Sequence, residues 1–169
     1  EAIVISVMPK MTIAQISGMI GGFDRIVRII PNAPSMVLSG YNPVVFSEAL
    51  TTRDRAPVEN LLESLGRYFE VPEQDLEAYA VITAMGPTYL WFQIYELEKI
   101  AASFGLSPEL AAEAVLKMAE GTVQTMRCST LTPEQVMDLV PVRPLGEDEA
   151  AIKEMYQKRL PALFQKLKG

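Results

Sequence analysis

Histidine is absent from the 169 residues. Its absence removes the commonest general base at neutral pH, the Ser/His and Cys/His nucleophile pairs, and the usual transition-metal ligand. A hydrolase built on a histidine triad is excluded. The single cysteine, Cys128, allows no intrachain disulfide. With no histidine beside it, a zinc site would have little but carboxylates to draw on, so no metal is expected. No apolar run approaches the roughly 18 to 20 residues of a membrane-spanning helix. The apolar start, Glu1-Ala-Ile-Val-Ile-Ser-Val, lacks both the basic flank and the small-residue cleavage site of a signal peptide. Long basic runs are missing too. Fifteen Lys and Arg against 21 Asp and Glu leave a net charge of −6, which offers little to a phosphate backbone. These absences point to a cytoplasmic chain with neither membrane nor nucleic acid among its partners.

Hydrophobic residues make up 49% of the chain, enough for a substantial core. Residues 2–8 (AIVISVM) form the continuous β-branched run of a strand covered on both faces, as in a parallel sheet. Thr12 is placed to cap a short helix over 13–19, which Gly21-Gly22 ends. Strands are predicted over 24–30 and 42–47, an amphipathic helix over 52–65, and a last short strand over 67–71. From residue 72 the period becomes helical and stays so, with helices predicted over 73–84, 89–104, 108–126, 132–139 and 148–168. Ser107-Pro108-Glu109 and Thr132-Pro133-Glu134 both read as an N-cap followed by proline and acid. The expected fold is an α/β remnant of a Rossmann-type sheet over residues 1–71, followed by an all-α dimerisation domain over 72–169.

Three or four short strands with one or two helices are too few to cover both faces of an apolar parallel sheet. No G-x-G-x-x-G turn occurs; Gly18, Gly21 and Gly22 have the wrong spacing for one. The expectation is therefore a chain carrying the last strands of a nucleotide-binding domain, with the front half of that domain elsewhere and no nucleotide binding by these 169 residues alone. The alternative is a small sheet completed by a partner chain. Residues 80–126 are apolar around the helix circumference, which predicts a homodimer through the helical part.

Several stretches, in order, resemble the Δ1-pyrroline-5-carboxylate reductases. Arg28-Ile-Ile-Pro-Asn-Ala-Pro34 is close to that family's R-x-M-P-N-T-P, and Thr83-Ala-Met-Gly-Pro-Thr-Tyr89 is similar to its S-G-S-G-P-A-Y. Phe104 to Leu110 resembles the G-L-P-x-x-x-A helix start, and Pro133 to Val140 the P-x-x-L-x-D-x-V segment. The resemblance implies an NAD(P)H-dependent imine reductase of proline biosynthesis, of which this chain is roughly the last two-thirds. It also implies interlocked helical domains, with a small acidic imine bound between them beside the nicotinamide. Two segments depart from the pattern. Where the family has T-S-P-G-G-T-T, whose amides and hydroxyls help hold the substrate carboxylate, the chain reads Pro141-Val-Arg-Pro-Leu-Gly-Glu147. Where it has A-A-G before T-I, the chain reads Met8-Pro9-Lys10.

No catalytic residue stands out. Pro31-Asn32 is the cofactor-side candidate: Asn32 can present its amide at the carboxyl end of a strand, where such sheets bind ligands, or it can simply turn the chain between two prolines. Gly86-Pro87-Thr88 opens a helix whose N-terminus can receive a carboxylate or can be a plain helix start. Arg143, the one cation of the altered loop, can grip an acid through its fork or remain a solvated surface charge. Glu73 to Glu77 reads as a solvated helix start. Two functional classes follow: an NADP- or NAD-dependent reductase acting on a C=N bond, or a non-catalytic relative that dimerises or binds an acidic metabolite.

Overall fold

The computed structural model describes residues 2–168. The helix starts follow from local chemistry. Helix α1 (Ile13–Met19) begins after Thr12, whose hydroxyl accepts from Gln15 N at 3.1 Å while Gln15 Oε1 accepts from Thr12 N at 2.9 Å, so each group satisfies a donor the helix leaves unpaired. Thr51 and Asp54 repeat that exchange before α2 (Thr52–Glu63), and Thr132 and Gln135 repeat it before α6 (Pro133–Met137). Ser107 caps α5 (Pro108–Cys128), with proline in its first turn where no amide partner is lost. The remaining long helices are α4 (Pro87–Ser103) and α7 (Glu149–Lys168). Among the described residues, no helix is long and apolar enough to cross a membrane.

Four strands form one sheet in the order β1 (Val4–Ser6), β2 (Ile26–Ile29), β3 (Gly40–Phe46), β4 (Gly66–Glu70). The fully parallel sheet expected from the apolar first strand is not what forms. β1 pairs parallel with β2, and β3 with β4, but β2 and β3 are antiparallel, with Arg28 opposite Val45. Connection length accounts for this. A parallel crossover needs a dozen or more residues, and only 30–39 separate β2 from β3.

Both faces of the central strands are covered, against the expectation of too few helices. Val27, Ile29, Val44 and Phe46 pack with Leu50 and with Val58 and Leu62 of α2. On the opposite face Ile30 and Val45 pack with Leu76, Ala80, Val81 and Leu167. The second cover thus comes from residues 76–81 and from the far end of α7, well beyond the strands in sequence. β1 is less well served: Ile5, Val7 and Met8 stay exposed along the edge, as do Met19 and Ile20 at the end of α1. Gly40 starts β3 because a Cβ there would lie 2.2 Å from Ser35 Oγ and 2.4 Å from Leu65 O.

The segment predicted as one helix over 73–84 is built in three pieces. A 3-10 turn (Glu73–Asp75) leads into α3 (Leu76–Tyr79), and a wider π turn follows over Ala80–Ala84. Met85 N donates to Ala80 O at 3.0 Å, the five-residue spacing of that wider turn. Such insertions recur at functional sites.

By contacts the chain forms two compact units. One comprises residues 1–87 with 156–169, the other residues 88–155. In the second unit only Ala111 and Val115 are buried among the apolar residues, while Leu90, Phe92, Tyr95, Phe104, Leu116 and Met126 are exposed.

Candidate functional site

Because β1 and β2 run parallel, the segments that leave them emerge at the same end of the sheet. In open α/β sheets this carboxyl end is where ligands bind. Here it carries loop 8–12 after β1 and the turn Pro31–Pro34 after β2, with the start of antiparallel β3 beside them.

Beneath that end lies a charged clasp that the sequence reading missed. Arg28, at the centre of β2, is 1% exposed and points to the face covered by α3. Its Nη1 donates to Glu73 Oε1 at 3.0 Å and its Nη2 to Glu77 Oε1 at 2.9 Å. The same two oxygens accept backbone amides from the β1–α1 loop: Ile13 N reaches Glu73 Oε1 at 2.7 Å, and Lys10 N reaches Glu77 Oε1 at 3.2 Å. The solvated helix start expected at Glu73–Glu77 is therefore an internal anchor, with Glu77 only 8% exposed. Its cause is the burial of Arg28. A guanidinium taken out of water needs carboxylates, and residues four apart on a helical segment can supply two from one side. The signal was present in the sequence, as a charged residue inside the apolar run Ile26-Val-Arg-Ile-Ile30.

A cavity of about 350 Å3 opens beside the clasp, bounded by Lys10, Thr12, Arg28, Glu73, Glu77 and the end of α7. Lys10 adopts φ +70°, a left-handed conformation uncommon outside glycine.

Pro31 is exposed at the sheet end and Asn32 half-buried. Asn32 Oδ1 accepts from Tyr41 N at 3.1 Å, and its Nδ2 reaches Thr83 O in the π turn at 3.5 Å. Its own backbone N–H donates to Oδ1 of the fully buried Asn42 at 3.2 Å. Asn32 thus ties the turn after β2 to β3 and to the segment that leads into α4.

Gly86 is required sterically, since a Cβ there would fall 2.1 Å from Ile82 O. Helix α4 starts at Pro87, two residues ahead of the predicted 89, so Thr88 lies inside its first turn. Arg143, in the other unit, is held in place: its Nη2 donates to Asp138 Oδ1 at 2.6 Å and to Met137 O at 3.0 Å. Glu149 in the same unit has its carboxyl held below the ordinary value, first by its hydrogen bond to Lys153 and, more weakly, by the charge of Arg143. The structure therefore links Asn32, next to Pro31 at the first unit's sheet end, to the π turn that precedes Gly86. Arg143 is engaged within its own loop.

The family model described as pyrroline-5-carboxylate reductase dimerisation matches residues 73–167. Pyrroline-5-carboxylate reductase 2 of Bacillus subtilis (strain 168) is 27% identical over 159 residues, covering 94% of this chain and 57% of that protein. The pyrroline-5-carboxylate reductase of Aquifex aeolicus (strain VF5) is 25% identical over 158 residues, covering 94% of this chain and 59% of its own length. This chain thus spans less than two-thirds of the length of these curated relatives. Among solved structures, Plasmodium falciparum pyrroline carboxylate reductase with NADP bound superposes with a TM-score of 0.82 at 25% identity. That match covers 98% of this chain and 70% of the other. The Coxiella burnetii pyrroline-5-carboxylate reductase gives a TM-score of 0.64 at 26% identity, covering 98% and 62%.

Proposed function

Because the chain belongs to the pyrroline-5-carboxylate reductase family, through the dimerisation region at residues 73–167, we propose that it forms part of an NAD(P)H-dependent reductase acting on the C=N bond of a small acidic imine in proline biosynthesis. The observation that carries this reading is the match along nearly the whole chain to a reductase structure that holds NADP. Residues 1–71 form the end of the nucleotide-binding domain in this account, and 72–169 the helical dimerisation and substrate domain. The change to helical elements after β4 supports that division. The exposed apolar edge of β1 suits further strands of the nucleotide-binding sheet, which would supply the phosphate-cradling turn. The 169 residues alone are then expected not to hold NADP or NAD.

The cofactor supplies the hydride, and the protein positions it against the substrate. Pro31 and Asn32 border the nicotinamide side, with Asn32 acting chiefly by fixing the turn to the π segment. Gly86, Pro87 and Thr88 present a helix N-terminus to the polar end of the imine. Two copies pair through the helical domain as a homodimer in the cytoplasm. The test is reduction of pyrroline-5-carboxylate by the intact protein, followed by NADPH and NADH absorbance. Turnover with either cofactor supports the reading. No turnover, with no cofactor binding at millimolar concentration, contradicts it.

A second reading is a non-catalytic relative that dimerises or binds an acidic metabolite. The observation that favours it is the Pro141–Glu147 segment, which lacks the glycine pair and hydroxyls and commits Arg143 to Asp138. Replacing Pro141–Glu147 by Thr-Ser-Pro-Gly-Gly-Thr-Thr in an inactive intact protein would create activity if this reading holds.

A further inference from the structure

Two asparagines ten residues apart latch the turn after β2 onto β3. Asn32 Oδ1 accepts the Tyr41 N–H at 3.1 Å, and Asn42 Oδ1 accepts the Asn32 N–H at 3.2 Å. The same Asn42 oxygen accepts the Ser35 hydroxyl at 3.1 Å. Apolar packing does little for this loop. No residue of its 3-10 turn (Ala33–Val37) is buried, and Met36, Val37 and Leu38 are all exposed. Leu38 moreover adopts φ +58°, a left-handed conformation unfavourable for a residue with a Cβ. Hydrogen bonds hold the turn, and Asn42 supplies two of them.

Asn42 does so against its own interest. It is fully buried in β3, and its Nδ2 has no hydrogen-bond partner among the described residues. The amide cannot turn over to relieve this, because Nδ2 would then face the Asn32 N–H, donor against donor. A buried donor left unpaired weakens the fold, and a β-branched apolar residue would suit the strand better. The side chain also constrains its surroundings: a Cβ at Gly40 would lie 2.5 Å from Asn42 Nδ2. Local rules are broken at both Asn42 and Leu38, and such breaks concentrate at functional sites.

We propose that Asn42 is a positioning residue for the reductase, holding the Pro31–Asn32 turn against the nicotinamide side through the Asn32 N–H. It touches neither reactant. The assignment rests on the reductase reading and adds to it the group that fixes the cofactor-side turn. From Asn32 the same connection continues to Thr83 O in the π turn.

The test is steady-state kinetics of the intact protein, varying whichever of NADPH and NADH supports turnover. KM decides, because loss of folded enzyme lowers the apparent kcat and leaves KM unmoved. Asn42→Ala is expected to raise KM for the cofactor roughly tenfold, and KM for pyrroline-5-carboxylate by less than about threefold. Asn42→Val fills the strand position without an acceptor, and gives the same reading if Asn42→Ala does not fold. Asn42→Asp keeps the accepting oxygen in place. It should melt earlier, since a buried carboxyl is costly, yet hold the cofactor KM within about threefold of the parent. Ser35→Ala removes only the bond to the loop and should also stay within about threefold. Amide exchange at Asn32 should quicken roughly tenfold in Asn42→Ala and not in Ser35→Ala. An unmoved cofactor KM in Asn42→Ala and Asn42→Val, or unchanged exchange at Asn32, would overturn the assignment. So would a rise in Asn42→Asp or Ser35→Ala as large as in Asn42→Ala. Each of those results leaves the reductase reading standing, because the parent turns over. A parent with neither turnover nor cofactor binding removes both.

Discussion

The two compact units solve the burial of apolar surface differently. The sheet unit, residues 1–87 with 156–169, seals both faces of β2 and β3 with its own helices and anchors a buried arginine between two glutamates. The helical unit, residues 88–155, buries only Ala111 and Val115 among its apolar residues and leaves Phe104 81% exposed and Phe92 64% exposed. Large contiguous apolar patches on a single chain mark surfaces that another chain covers. The first unit is stabilised from within, and the second leaves apolar residues exposed that, in the proposed account, a second copy covers.

The predictions divide along that line. Phe92→Glu places a charge where the account puts the subunit interface. It is expected to weaken self-association at least about a hundredfold, or roughly 3 kcal/mol, read by sedimentation equilibrium. Unaltered association would move the interface off this face of α4. Arg28→Leu strikes the sheet unit instead. It leaves Glu77 buried without its partner and should cost that unit about 3–5 kcal/mol in urea unfolding. The double variant Arg28→Leu with Glu77→Leu should recover part of that loss, and neither should change self-association as Phe92→Glu does. If Arg28→Leu were neutral, the clasp would have no part in holding the sheet unit together.

Gly86→Ala is expected to cost about 1–3 kcal/mol, since its Cβ meets the Ile82 carbonyl. Faster hydrogen exchange should be confined to residues 80–90. An exchange pattern like the parent's would mean that the π turn tolerates the methyl group.

The smallest effect concerns acid stability. The Asp54 carboxyl is held below its ordinary value of 3.8, first by the Thr51 hydroxyl, then by the Thr51 amide, with Arg25 weaker. A depressed carboxylate stabilises the fold fully above about 3.8 and loses that contribution as pH falls from there through its lower folded value. Thr51→Ala should raise the Asp54 pKa towards 3.8, as a carbonyl-carbon titration would show. An unmoved titration would transfer the cause to the Thr51 amide and Arg25.

Much of the fold was legible because local signals and burial agreed. Thr12, Ser107 and Thr132 placed three helix starts through capping chemistry alone. Direction within the sheet was less accessible: an apolar strand reads alike whether its neighbour runs parallel or antiparallel, and the short 30–39 connection was the better guide. The second cover of the sheet comes from Leu167, more than a hundred residues from the strands it shields, which no local period can announce. At the candidate site, Pro31-Asn32 and Gly86 were visible as turn and helix-start residues. Glu73 and Glu77 were not, because their role depends on meeting Arg28 across the fold.

The most direct test of the account is the mass of the 169-residue chain in solution at micromolar concentration, measured by sedimentation equilibrium. Twice the 18.7 kDa of one chain is the predicted result, with the helical unit as the joined surface. A species that stays at 18.7 kDa across the concentration range would contradict it.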